Sequence, residues 1–425
     1  MITTKLASKP DAAQDRRAGR FAARHTLWSV SKLSRVRSCG RVAQRNGVGV
    51  QVKVSTDEGG RHAGLGNVQT CGSVWACSVC SAKIQSHRQN DISRALAAWY
   101  SGAGTEYGDW GRVALVTLTM RHNKGHSLAS LWDALSEAWH LTSSGAGWAS
   151  DQLRHGERIF GAVYKRGRNK GRRRVTGSIP IIRLFEVTHG DNGWHVHIHA
   201  LLLLPASAND ASVAALGSRM WGRWLGALEA RGLDCDRKHG VDARLLHGDP
   251  SAALGEYFAK AVYSASFEVA RTDMKSANHG NRTPFAVLAA VVDQERSVDQ
   301  AREDLDIWHE YERGSKGRRQ IAWSHGLRAR LLPPDEVEEL TDEQIAELDH
   351  GGDVVVELNA DLWKVIVTRR ADWRLLAAFE LSDADGYALL WSLAWEAQVE
   401  GARQWARLLK ESDPSRRLWQ TKDAG

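Results

Sequence analysis

Trp194-His-Val-His-Ile-His-Ala-Leu-Leu-Leu-Leu204 places three imidazoles at alternate positions of an apolar run. Side chains alternate faces along a strand, so His195, His197 and His199 share one face. Val196, Ile198, Ala200, Leu202 and Leu204 then point the other way, into a core. Imidazole is the commonest metal-ligating side chain near neutral pH. Immediately upstream, Asn192-Gly193 is a strong two-residue hairpin signal. That turn sets Glu186 opposite His199 and Thr188 opposite His197, on the histidine face. A carboxylate beside two imidazoles is a ligand set for Mg²⁺ or Mn²⁺ that leaves positions open for phosphate oxygens. One histidine on a half-exposed strand is usually structural. Three in alternation, opposite a glutamate, point to a metal.

A candidate nucleophile lies downstream in Glu256-Tyr-Phe-Ala-Lys260. Helical spacing over Ala252–Ala270 puts Tyr257 and Lys260, three apart, on one face. A phenol with a pKa of about 10 needs help to attack phosphorus, and an ammonium or a metal favours the phenolate. The product, a phosphotyrosine, conserves the cleaved bond for rejoining without ATP. Tyr263 is a rival nucleophile, and Glu256 with Lys260 also reads as an ordinary surface pair.

Cys71, Cys77 and Cys80, with Cys39 upstream, have the makings of a four-thiolate Zn²⁺ site. His62 or His87 are alternative fourth ligands, and Cys235 stands alone. Seven of the ten residues from 165 to 174 are basic: Lys165, Arg166, Arg168, Lys170, Arg172, Arg173 and Arg174. Interleaved with glycine, they read as a flexible phosphate-binding loop, supplying salt-dependent affinity rather than sequence readout.

These groups need elements to hold them. The chain has 425 residues, so two or three domains are expected. Its net charge of +7 favours a polyanionic partner. Eighteen Trp fit either cores or base stacking. Residues 1–36 are polar and Arg-rich, read as a mobile basic arm. Residues 37–100 read as a cysteine module followed by a helix over Ile84–Tyr100. Strands are expected at Val113–Met120, Ile179–Thr188 and Trp194–Leu204, with helices at Leu128–Leu141, Val213–Arg231 and Ala252–Ala270. That order suits an α+β fold over 101–270, a central antiparallel sheet with helices on its outer face. Residues 271–350 read as a helical accessory region with an acidic face at 335–349 and a basic connector Lys316-Gly-Arg-Arg319. Residues 351–425 read as a small α/β region, with a hairpin of Val354–Leu358 and Leu362–Thr368 before a Trp-rich helical end.

With these blocks in hand, the chain resembles the rolling-circle replication initiators of actinobacterial plasmids, in the HUH endonuclease superfamily. Thr70–Ile84 looks like the family's cysteine block, Leu115–Met120 its first motif, Gly193–Leu203 its metal motif and Glu256–Lys260 its tyrosine motif. The likeness continues through Arg282–Phe285, Ser315–Ser324 and Leu340–Ile345, spanning about 37–350. The resemblance implies that His197 and His199 are the paired metal histidines, with His195 in support, and that Tyr257 is the nucleophile. It implies nicking of one strand of a plasmid origin, a 5′-phosphotyrosine, and a free 3′-OH that primes synthesis. Some relatives terminate with a Glu-activated water; the carboxylate beside the tyrosine here is Glu256.

No Gly-x4-Gly-Lys-Ser/Thr phosphate loop is present, so a host helicase and polymerase are implied. No apolar run approaches the roughly 20 residues of a membrane span, and no signal peptide is evident, so a cytoplasmic enzyme is expected. The competing readings are a single-Tyr transposase or relaxase, and a zinc-containing DNA-binding repressor without catalysis.

Overall fold

A computed structural model describes residues 9–105, 108, 110–247, 281–348 and 351–397, with side chains from residue 14 onward. It opens with α1 (Lys9–Val30), α2 (Ser34–Ser38), β1 (Val50–Asp57), β2 (Gly60–Gly66) and α3 (Ser78–Tyr100). Next come β3 (Arg112–Leu118), α4 (Leu128–Thr142), α5 (Gly145–His155), β4 (Glu157–Val163), β5 (Arg173–Ser178), β6 (Ile181–Gly190) and β7 (Gly193–Leu204). Then follow α6 (Asp210–Glu229), β8 (Val241–Leu245), α7 (Pro284–Ala290), α8 (Val298–Ser315), β9 (Ile321–Trp323) and α9 (Leu327–Leu331). The last described elements are α10 (Asp342–Glu347), β10 (Asp353–Leu358), α11 (Ala360–Thr368), α12 (Asp372–Leu381) and α13 (Asp383–Glu396). No helix among the described residues is long and apolar enough to cross a membrane.

The elements form two compact units. Among the described residues, one gathers those within 1–73, 77–80 and 343–425; the other holds those within 74–76 and 81–342. The first is therefore discontinuous, unlike the consecutive segments that the sequence implies. β1 pairs with β2 on one side and with β10, some 300 residues later, on the other. Val50, Val52 and Val54 send one face of this sheet into a core with Leu362, Trp363, Ile366 and Phe379.

Two expectations fail in this unit. Residues 1–36 are not simply a mobile arm, because Lys9–Val30 is helical and Phe21, Arg24, His25 and Leu27 are buried. Arg24 and His25 converge on buried Asp372, at 2.6 and 2.9 Å. The expected terminal hairpin is a strand followed by a helix. The Asn359 side chain caps α11 by accepting from Leu362 N, and Leu362, Trp363, Ile366 and Val367 bury one helical face. A Val/Ile-rich segment took helical form because its apolar period is about 3.6, not 2.

The second unit is built on a five-stranded antiparallel sheet in the order β8-β3-β7-β6-β9. β9, from the expected helical region, supplies an edge strand. Helices cover both faces rather than one. α4 lies against β7, and α6 packs so closely on β8 that a side chain at Gly217 would meet Ala243 at 2.7 Å. On the other face Leu201 and Leu203 join Leu96 and Trp99 of α3 and Leu327 and Leu331 of α9. Trp99, Trp132, Trp194, Trp224 and Trp308 are among the largest fully buried side chains, so much of the Trp excess builds core.

Candidate functional site

The histidine strand sits centrally in the sheet, which fixes its direction. β6 and β7 pair in a register that sets Glu186 opposite His197, Thr188 opposite His195 and Leu184 opposite His199. The expected pairing of Glu186 with His199 is thus corrected by two positions. Asp191 and Asn192 form the tip between Gly190 and Gly193. Gly193 takes a left-handed φ of 86° after the turn, where a side chain would meet Lys124 Cα at 3.2 Å. A shift of two keeps every side chain on its face. Glu186 therefore still reaches His199 diagonally, Oε2 to Nε2, at 2.8 Å.

Two further residues join this face. Thr117 of β3 stands opposite His199, and its hydroxyl lies 3.1 Å from Nδ1. His122, in the loop after β3, places Nε2 at 2.6 Å from His195 Nδ1 and Nδ1 at 3.1 Å from the Asn192 carbonyl. His122 Nδ1–H must donate to that carbonyl, so its Nε2 accepts from His195 Nδ1–H. That tautomer leaves a lone pair on His195 Nε2. Thr117 lay inside a recognised strand motif, where alternation alone could have placed it on this face. His122 is a loop residue with no periodic signal.

His197 is the least satisfied member. Its Nδ1 is buried without a hydrogen-bond partner among the described residues, and its ring stands 4.1 Å from that of His195 and 5.6 Å from that of His199. Burial, then its histidine neighbours, holds His197 well below the ordinary imidazole pKa. Burial and His122 pull His195 down to about 4. Both are neutral near pH 7, the form that ligates metals.

The four cysteines form a second centre. Cys39, Cys71, Cys77 and Cys80 are all buried, with Sγ–Sγ separations of 3.6 Å (Cys39–Cys80 and Cys71–Cys80) and 3.7 Å (Cys77–Cys39). A disulfide requires about 2.05 Å. A tetrahedron with metal–sulfur bonds of about 2.3 Å has edges of about 3.8 Å, so the quartet fits a Zn²⁺-sized ion. Cys39 fills the fourth position, while His62 is half-exposed and bonds Asp57. Crowding pushes Cys71 and Cys77 up and lets Cys80 hold a thiolate stabilised by its neighbours. Among the described residues this quartet is the one cluster whose ligand atoms all lie within 4.8 Å of one another. The histidine face is a looser set.

The basic segment caps a two-stranded ribbon, β4 with β5. Every residue from 165 to 174 is exposed, with Gly167 and Gly171 at positive φ in the turn region. Phe160, Val163, Tyr164 and Val175 are exposed along the same ribbon. Glu157 at its foot is buried against Arg330 at 2.6 Å, anchoring it. Glu256, Tyr257, Lys260 and Tyr263 lie outside the described residues.

No protein-family model matches the chain, and no solved structure matches it. It is similar to the neomycin resistance protein of Streptomyces cyanogenus, 32% identical over 149 residues, covering 32% of this chain and only 30% of that protein. It is also 31% identical over 362 residues to "Protein rep" of Streptomyces lividans, covering 74% of this chain and 76% of the relative. At that identity and coverage, the chain belongs to the Rep protein family.

Proposed function

We propose that this chain initiates rolling-circle replication of a plasmid by binding its origin and nicking one DNA strand. The observation that carries the reading is the neutral His197 imidazole, whose buried Nδ1 has no hydrogen-bond partner among the described residues, on one face with His195, His199 and Glu186. A buried polar atom without a partner is costly unless a ligand completes it. His197, His199 and Glu186, with His195 beside them, are the residues that would hold a divalent ion, and Mg²⁺ or Mn²⁺ there would supply charge stabilisation at the scissile phosphate.

The chain's own groups do the rest. Thr117 O–H donates to His199 Nδ1, and His199 Nε2–H donates to Glu186, which fixes that ring at both nitrogens. For His199 to offer Nε2 to a metal, its proton would have to sit on Nδ1, with Thr117 then accepting from Nδ1–H and Glu186 no longer accepting from Nε2. Tyr257 is the nucleophile: its phenolate oxygen bonds phosphorus while the P–O3′ bond breaks and the 3′ oxygen takes a proton from solvent, giving a 5′-phosphotyrosine and a free 3′-OH. Lys260 favours the phenolate, and Glu256 is the nearby carboxylate for a terminating water. The exposed cations of the β4–β5 ribbon bind DNA phosphates. Zn²⁺ in the cysteine quartet is structural. A host helicase and polymerase extend the primer.

The test is incubation with a supercoiled candidate origin and Mn²⁺ or Mg²⁺, followed by a denaturing gel. Wild type leaves a covalent 5′-DNA adduct and Tyr257→Phe leaves none. An adduct lost only in Tyr263→Phe moves the nucleophile. DNA binding with no cleavage by any form replaces the enzyme with a zinc-containing DNA-binding repressor.

A further inference from the structure

The sheet face opposite the histidines carries a groove that this chemistry leaves unused. Arg183 and Phe185 of β6 stand opposite Ala200 and Ile198, so they project away from the side of Glu186 and His197. With α4 and the turn after α8 they line a cavity of about 350 Å³. Its lining includes five cations, Arg183, Arg313, Lys316, Arg318 and Arg319, and no carboxylate.

Arg183 is the telling member. Its guanidinium lies 4.7 Å from the Phe185 ring and 5.9 Å from that of Trp139. Its buried Nε has no hydrogen-bond partner among the described residues. Burial pulls its pKa down, and no carboxylate among the described residues restores it. A desolvated cation without a counter-charge is unfavourable unless an anion joins it. Arg318 is committed to exposed Asp133 at 2.7 Å and sits over Trp132. Arg313, Lys316 and Arg319 are exposed, with no ion pair among the described residues.

The turn that presents them is held in place. Ser315 Oγ donates to Tyr311 O at 2.7 Å, Arg318 Nε to Gly314 O at 3.0 Å, and Trp75 Nε1 to Arg318 O at 2.7 Å. Gly317 takes a left-handed φ of 73° that other residues resist. Trp132 and Phe185 are buried at 1% and 4% exposure, so neither offers a ring face to a base. The ligand chemistry is therefore that of a phosphate, which planar guanidinium groups bind by paired hydrogen bonds.

We infer that this groove binds a phosphodiester of the DNA backbone, a contact on the far side of the sheet from the histidines. The inference rests on the DNA-nicking reading above. The test is anisotropy of a fluorescein-labelled origin duplex, titrated across salt, with Lys316→Ala/Arg319→Ala and, separately, Arg183→Met. Each variant should weaken binding to origin and unrelated duplex alike. Each should also make the slope of log affinity against log salt shallower by about one per lost phosphate contact. Lys364→Ala/Arg374→Ala, which removes two exposed cations from the other unit, should leave the slope unchanged. Near-UV circular dichroism of the Trp signals confirms that each variant is folded. Variants that match wild type, or a control that loses as much, overturn the groove while leaving the nicking reading intact. A wild type that binds no DNA overturns both.

Discussion

The cysteine quartet and the histidine face would hold a metal in opposite ways. The cysteine quartet is closed: four buried sulfurs, like in kind, within 4.8 Å of one another and with three edges of 3.6–3.7 Å. The histidine face is open: mixed donors on two strands, one ring nitrogen unpartnered and another engaged by a carboxylate. Closed sites suit ions that fold a protein, and open sites suit ions that meet a substrate. The difference teaches that composition alone does not distinguish them. What distinguishes them is whether the protein satisfies every donor without the ion.

The comparison breaks most visibly at Cys77. Structural zinc contributes roughly 10 kcal/mol or more to folding in small zinc modules. Cys77→Ser should therefore lose its zinc, measured by elemental analysis, and abolish cooperative unfolding of the unit that contains β1, β2 and β10. Retained zinc and an unchanged transition would remove the quartet's structural role. His197→Ala should do the reverse, leaving zinc content and thermal stability near wild type while divalent-dependent cleavage is lost.

Next in size is Arg24. Burial opposes its charge, yet Asp372 and the sulfurs of Cys39 and Cys77 raise its pKa, so it faces the quartet as a fixed cation. Arg24→Leu leaves the buried Asp372 carboxylate with His25 and a neighbouring backbone N–H as its remaining partners among the described residues. The expected destabilisation is about 3–5 kcal/mol, read from denaturant unfolding. A loss below about 1 kcal/mol would mean that the guanidinium contributes little to holding Asp372.

Much of this contrast was visible in the residues themselves, and the exceptions are instructive. The period-2 alternation of His195, His197 and His199 specified both strand and face, because a central strand cannot slip by one residue without burying its polar side. The cysteine spacing nominated all four sulfurs. What stayed hidden depended on long-range pairing. No local signal joins β1 to β10, and the polar appearance of α1 gave no hint that Arg24 and His25 would be buried against Asp372. The glycine of Asn192-Gly193 fell after the turn rather than inside it, which moved Glu186 from His199 to His197 in register. Arg183 looked like one more cation until its burial without a carboxylate was seen.

Glu186 sharpens the open side of the comparison. It touches His199 and is itself a candidate ligand, so Glu186→Gln keeps the shape and removes the charge. Metal affinity at the histidine face should fall about 10–100-fold, because the anionic oxygen donor beside the imidazoles is lost. Isothermal titration with Mn²⁺ in the zinc-loaded protein measures it, and wild-type affinity would place the ion elsewhere.

The smallest expected effect comes from Thr117. Its hydroxyl lies 3.1 Å from His199 Nδ1, and Thr117→Val preserves volume and β-branching while deleting that bond. A neutral hydrogen bond contributes about 0.5–1.5 kcal/mol net. The variant should therefore lose roughly twofold to tenfold in Mn²⁺ affinity, with the unfolding midpoint scarcely moved. A purely structural threonine would show the converse, a stability loss at unchanged affinity. If His199 instead binds the ion through Nδ1, removing the competing hydroxyl should tighten binding. The sign of the Thr117→Val effect thus reports which nitrogen of His199 faces the metal.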